Sequence, residues 1–232
     1  MKRTILAVAL AATPFLSQAA QFDVEITNPT RGIYFTPLLI TAHPDNVALF
    51  ETGSAASSEL QAMAEGGDLS GLVSVLNAAG ATTVEDPANG LLAPGASATT
   101  TLNTDNAAAN TRLSIVAMLL PTNDGFLALN SLEIPTEPGT YTYDLNAYDA
   151  GTEANDEVRG SGTPGQPGMP VPPPLDPVLG NNGTGVASSA EGYVHIHRGN
   201  LGDTDLNGGS SDIVSTLHRW LNPVARVTVT VK

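Results

Sequence analysis

Apolar and polar positions alternate strictly in Gln21–Thr27 (QFDVEIT). Phe22, Val24 and Ile26 fall on one side and Asp23, Glu25 and Thr27 on the other, which predicts a half-buried strand. A turn at Asn28-Pro29-Thr30-Arg31-Gly32 leads to a second strand over residues 33–42, interrupted at Pro37 because proline cannot donate to a ladder. Between Ser57 and Ala79 the period lengthens. Leu69, Leu72, Val73 and Leu76 recur at helical spacing, Gly66-Gly67 divides two helical pieces, and Gly80 closes the second. Period-two patterning then returns over residues 98–102, 112–120, 125–132, 139–147, 192–197 and 225–231. Both faces of 112–120 are apolar, so it is expected to be a central strand. Many short strands separated by turns predict an all-β protein, an antiparallel β-sandwich with one or two short helices.

Residues 160–185 break the pattern with seven Gly and seven Pro, which predicts a long mobile loop. Only 47 residues follow it, a marginal size for an independent core, so residues 20–232 read as one domain. The first 19 residues read as an export signal. Lys2 and Arg3 precede an apolar run to Leu16, and Ser17-Gln18-Ala19 is a small-x-small cleavage site. No other apolar run reaches the ~20 residues of a membrane span. The expectation is an exported protein, periplasmic or secreted, with no integral membrane segment in its mature form.

Composition narrows the chemistry. There is no Cys, hence no disulfide framework and no thiolate metal site. The formal charge is −14, or −16 once Lys2 and Arg3 are removed, which argues against nucleic acid as a partner. Residues 119–157 hold eight carboxylates and no Lys or Arg. The turns Thr122-Asn123-Asp124-Gly125 and Asp149-Ala150-Gly151-Thr152-Glu153 set acids on Gly-containing loops beside strand-like runs. Such acids repel one another unless a hard divalent cation such as Ca²⁺ sits among them. A solvated acidic face is the alternative reading, and Asp124 could simply cap its own turn. His195 and His197 form a His-x-His pair on one strand face, a possible Zn²⁺ or Cu²⁺ ligand pair and so the basis of an alternative, a metal-dependent enzyme. The competing view is two hydrogen-bonded polar residues on a strand. Trp220 is expected to pack against the end of the sandwich. No G-x-S-x-G elbow and no phosphate-binding loop occurs, and the expectation is a non-enzymatic protein.

Several blocks together resemble the spondin N-terminal domain known from F-spondin and mindin. They are QFDVEITNPT, IYFTPLLITAH, SIVAMLLPTNDGFLALNSLEIP, AYDAGTEANDE, GYVHIHRG and HRWLNPVARVTVTV. The resemblance implies a C2-like antiparallel β-sandwich with calcium bound at one end. It implies that Asp124, Asp149 and Glu153 stand where the family's calcium-coordinating acids stand, with Glu153 replacing the Asp usual in the animal proteins. It also implies a binding or adhesion role toward a protein or glycan at the cell surface or matrix, although the thrombospondin repeats of the animal proteins are missing here.

Overall fold

The computed structural model describes residues 21–232, and the export signal read at residues 1–19 lies outside the described residues. The chain runs β1 (Gln21–Thr27), β2 (Tyr34–Phe35), β3 (Leu39–His43), α1 (Ser58–Gly66), α2 (Ser70–Ala78), β4 (Thr82–Glu85), β5 (Ser97–Asn103), β6 (Arg112–Leu120), β7 (Gly125–Glu133), β8 (Gly139–Asp149), β9 (Arg159–Gly160), β10 (Met169–Pro170), β11 (His195–Ile196), α3 (Ser215–His218) and β12 (Ala225–Val231). It is an all-β protein with short helices. One antiparallel sheet runs in the order β4-β3-β6-β7-β8-β12-β1-β5, with β2 added to β6 and β11 to β8. The sheet curls until its outer strands β4 and β5 approach each other, so it is nearly closed.

The alternation of β1 and β12 becomes register. Val24 lies opposite Val229 and Ile26 opposite Val227, all four buried in the interior of the curled sheet. Strand β6 separates two cores. Leu113, Ile115, Ala117 and Leu119 face the interior, whereas Val116, Met118 and Leu120 face a second core. That second core contains Leu60 and Met63 of α1 and Leu72 and Leu76 of α2. Each such side chain, fully buried, contributes about 1.5–3 kcal/mol. The expected central strand is therefore central because helices cover its outer face. Ser57 caps α1 by accepting from Leu60 N at 3.1 Å, and Gly67 ends it at φ 71°.

Two regions differ from expectation. The strand expected over 192–197 contracts to His195–Ile196, and β4 was not signalled at all. Residues 160–185 are long but tied down rather than free. Met169 and Leu175 are fully buried in the second core, and Arg159 donates to Gly180 O, Leu179 O and Asp176. A few apolar side chains among the Gly and Pro residues are enough to dock the segment.

Candidate metal centre

The β6–β7 turn is closed from within. Thr122 Oγ1 donates to Leu119 O at 2.6 Å and accepts from Gly125 N at 3.1 Å. A Cβ on Gly125 would lie 2.8 Å from Thr122 Oγ1 and 3.0 Å from the His197 ring, so the close approach requires glycine. Gly125 stands opposite Asp149 in the β7–β8 register, and Ala150 N donates to Asp124 O at 3.2 Å. This register brings two buried acids, Asp124 and Asp149, to the same end of the sheet, close enough for the charge of one to act on the other.

Their bonding is uneven. Asp124 Oδ2 accepts from Thr152 N at 2.8 Å, Glu153 N at 3.1 Å and Thr152 Oγ1 at 3.2 Å. Asp124 Oδ1 is shielded from solvent and has no partner. Asp149 Oδ1 accepts from Gly151 N at 2.8 Å, and Oδ2 from Asn155 Nδ2 at 2.6 Å. Burial first, and then the charge of Asp149, pushes the Asp124 carboxyl up to about 8. Burial also raises that of Asp149. Among the described residues no Lys or Arg forms an ion pair with either acid.

Glu153 faces elsewhere. Its backbone N–H supports Asp124, but its carboxylate accepts from Asn123 Nδ2 and Gly168 N, near Glu65 and Asp156. Burial raises it to about 6. Of the three acids read as a calcium set, two come together, and the third contributes its backbone there.

Strand β11 brings the histidines to the same end, with His195 opposite Asp149. Gly151, at φ +68°, permits this because a Cβ there would collide with the Tyr193 backbone. His195 Nε2 lies 3.7 Å from Asp149 Oδ1 and 3.9 Å from Glu191 Oε2, and His197 Nε2 lies 3.9 Å from Asp149 Oδ2. Neither Nε2 has a hydrogen-bond partner, and both are shielded from solvent. Burial drives the His197 imidazole down to about 3. His218 is buried and accepts from Val214 N through Nδ1 at 3.3 Å, a structural position. Trp220 is buried against the His197 ring, with centroids 4.9 Å apart, as expected of a packing residue.

Sequence reasoning missed Glu191. It lies four residues before His195 in a stretch with no periodicity, and only the chain path shows that it reaches Asp149. Another acidic loop, Asp203-Thr204-Asp205-Leu206-Asn207-Gly208, has the D-x-D-x-N-G order of a calcium loop. Position twelve is Val214 instead of Glu, and Asp203 already accepts from the N–H groups of Asp205, Ser210 and Ser211.

Comparison with known proteins adds one finding. The Spondin_N family model matches residues 22–171, a span that includes Asp124, Asp149 and Glu153 and ends before Glu191, His195 and His197. No curated protein matches the chain. With well over half of its length matched, and with an all-β antiparallel architecture, the chain belongs to the spondin N-terminal domain family.

Proposed function

We propose that this is an exported spondin-type module that binds calcium and acts by binding, not catalysis, on a protein or glycan at the cell envelope or outside the cell. The observation that carries the calcium reading is the buried, unpartnered Oδ1 of Asp124 beside Asp149. Two adjacent buried carboxylates with no ion-paired Lys or Arg are unfavourable unless protonated or bridged. A divalent cation bridges them, with Asp124 and Asp149 as side-chain ligands and Glu153 acting through its N–H on Asp124. Calcium is the ion the family resemblance nominates, and oxygen-rich loops suit it. The signal-like pattern of residues 1–19 and the acidic charge support a role outside the cytoplasm.

The non-catalytic reading is supported by the placement of the histidine–hydroxyl pair His43 Nε2 and Ser114 Oγ. They are 2.8 Å apart, but both residues are fully buried, and Ser114 Oγ also accepts from Ser131 N. No substrate reaches them.

Melting the protein with calcium, with magnesium and with chelator tests the reading. At one hundred times Kd, calcium should add about 2.7 kcal/mol, which is roughly 5–10 °C for a chain of this size. An unchanged midpoint in millimolar calcium contradicts it.

A further inference from the structure

We infer that Asp149, Glu191 and His195 form a site for a borderline divalent ion of the zinc class, sharing Asp149 with the calcium position but not depending on it. One ligand atom from each of the three lies within 4.8 Å of the others.

The hydrogen bonds of the two histidines distinguish their roles. His195 Nδ1 is 3.0 Å from Ile196 O, which can only accept. Nδ1 therefore carries the proton, and Nε2 presents its lone pair to the Asp149 and Glu191 carboxylates at 3.7 and 3.9 Å. These gaps are too long for hydrogen bonds, and three electron-rich atoms facing one another suit a cation between them. A tetrahedral ion with bonds of about 2.1 Å separates its ligands by about 3.4 Å. Small rotations of the half-exposed Glu191 and His195 close the difference. A backbone carbonyl on the far nitrogen is the usual means of orienting a metal-binding imidazole. Asn155 Nδ2 holds both acids, Asp149 Oδ2 at 2.6 Å and Glu191 Oε1 at 3.5 Å.

His197 is arranged the opposite way. Its Nδ1 accepts from Gly199 N at 3.0 Å, so its proton sits on Nε2, pointed at Asp149 Oδ2. With its acceptor nitrogen taken by Gly199 and its Nε2 too far from Asp149 for a hydrogen bond, it is a buried packing residue and not a ligand. The His-x-His pair thus divides into one ligand and one packing residue, held against Trp220, and the set is one nitrogen and two carboxylates. Imidazole in the set favours zinc over calcium, which takes six to eight oxygens. The side chains of Glu191 and His195 are 33% and 28% exposed, so the cluster lies at the edge of the fold and not in its core.

Chelator-stripped protein titrated with Zn²⁺ against a chromophoric competitor at pH 7.5 tests this, with the calcium melting response recorded on the same samples. One equivalent should bind, and His195→Gln and the exposed Glu191→Gln should each weaken it at least about tenfold while the calcium response persists. Zinc binding unaltered in both variants overturns the inference. So does a calcium response without zinc binding, and that result leaves the calcium reading standing. Zinc binding without a calcium response supports this site and contradicts the calcium one. Binding of neither ion overturns both.

Discussion

Two acidic regions lie near each other at this end of the molecule, and their surroundings differ. In one, Glu157 accepts from Leu201 N at 2.5 Å, Gly202 N at 2.8 Å and Ser211 Oγ at 2.7 Å, while Asp212 accepts from Arg159 N at 2.9 Å and Gly183 N at 2.8 Å. These buried acids are satisfied almost wholly by backbone N–H groups, which stabilise a carboxylate as a cation would. In the other, Asp124 Oδ1 has no donor, and Asp149 faces an acid on one side and two imidazoles on the other. The number of carboxylates in residues 119–157 therefore does not locate a cation. The bonds left unmade do.

Breaking the satisfied region should cost most. Glu157→Ala leaves three donors without their acceptor, at about 1–3 kcal/mol each when buried. Urea unfolding should show a loss of roughly 3 kcal/mol or more, the same with calcium as with chelator. A calcium-dependent loss would mean that the two regions are not separate.

In the unsatisfied region the effect should change sign with the ion. Asp149→Asn should abolish the calcium-dependent stabilisation. Asp124→Asn should weaken or abolish it, yet raise the stability of the ion-free protein by on the order of 1 kcal/mol, because an amide avoids the cost of protonating a buried carboxyl beside Asp149. pH sharpens the contrast. The Asp124 carboxyl sits at about 8 in the folded protein, above the ordinary 3.8 of the unfolded chain. Its contribution to stability is fully present below about 4 and is lost as pH rises through 8. Ion-free wild type should thus lose stability over that window, and Asp124→Asn should lose less. Parallel melting curves for the two proteins across pH would remove Asp124 from the account.

The smallest effect belongs to Asp144. It projects from β8 to solvent and pairs with the exposed Arg226 at 2.9 Å. Asp144→Asn should leave both the melting temperature and the calcium response within replicate scatter. A lost response would point to diffuse charge screening instead of a site.

Much of the frame was legible in the sequence. Two-faced apolar patterning gave β6, strict alternation gave β1 and β12, and Gly151 marked the turn that aims Asp149. Side-chain direction was not legible. Glu153 is flexible enough to serve either region, and its capture by Asn123 and by Gly168 depends on the path of the Pro/Gly segment. That segment looked mobile because three apolar residues, Met169, Leu175 and Leu179, carry little weight among seven Gly and seven Pro; their burial outweighs the composition. Glu191 was hidden for the same reason, since an aperiodic stretch gives no hint of what it touches. The roles of His195 and His197 rest on which nitrogen accepts a hydrogen bond, and spacing carries no information about that.

The most direct test of the central claim, that a divalent cation relieves the unmade bond of Asp124 and its repulsion with Asp149, is calorimetric. Calcium is titrated into chelator-stripped wild type and Asp124→Asn at pH 7.5, in two buffers of different ionisation enthalpy. Wild type should bind one equivalent and release protons as the ion displaces them from the raised carboxylates, and the variant should bind far more weakly and release fewer. Equal binding by the two proteins, or no binding by wild type, would contradict the claim.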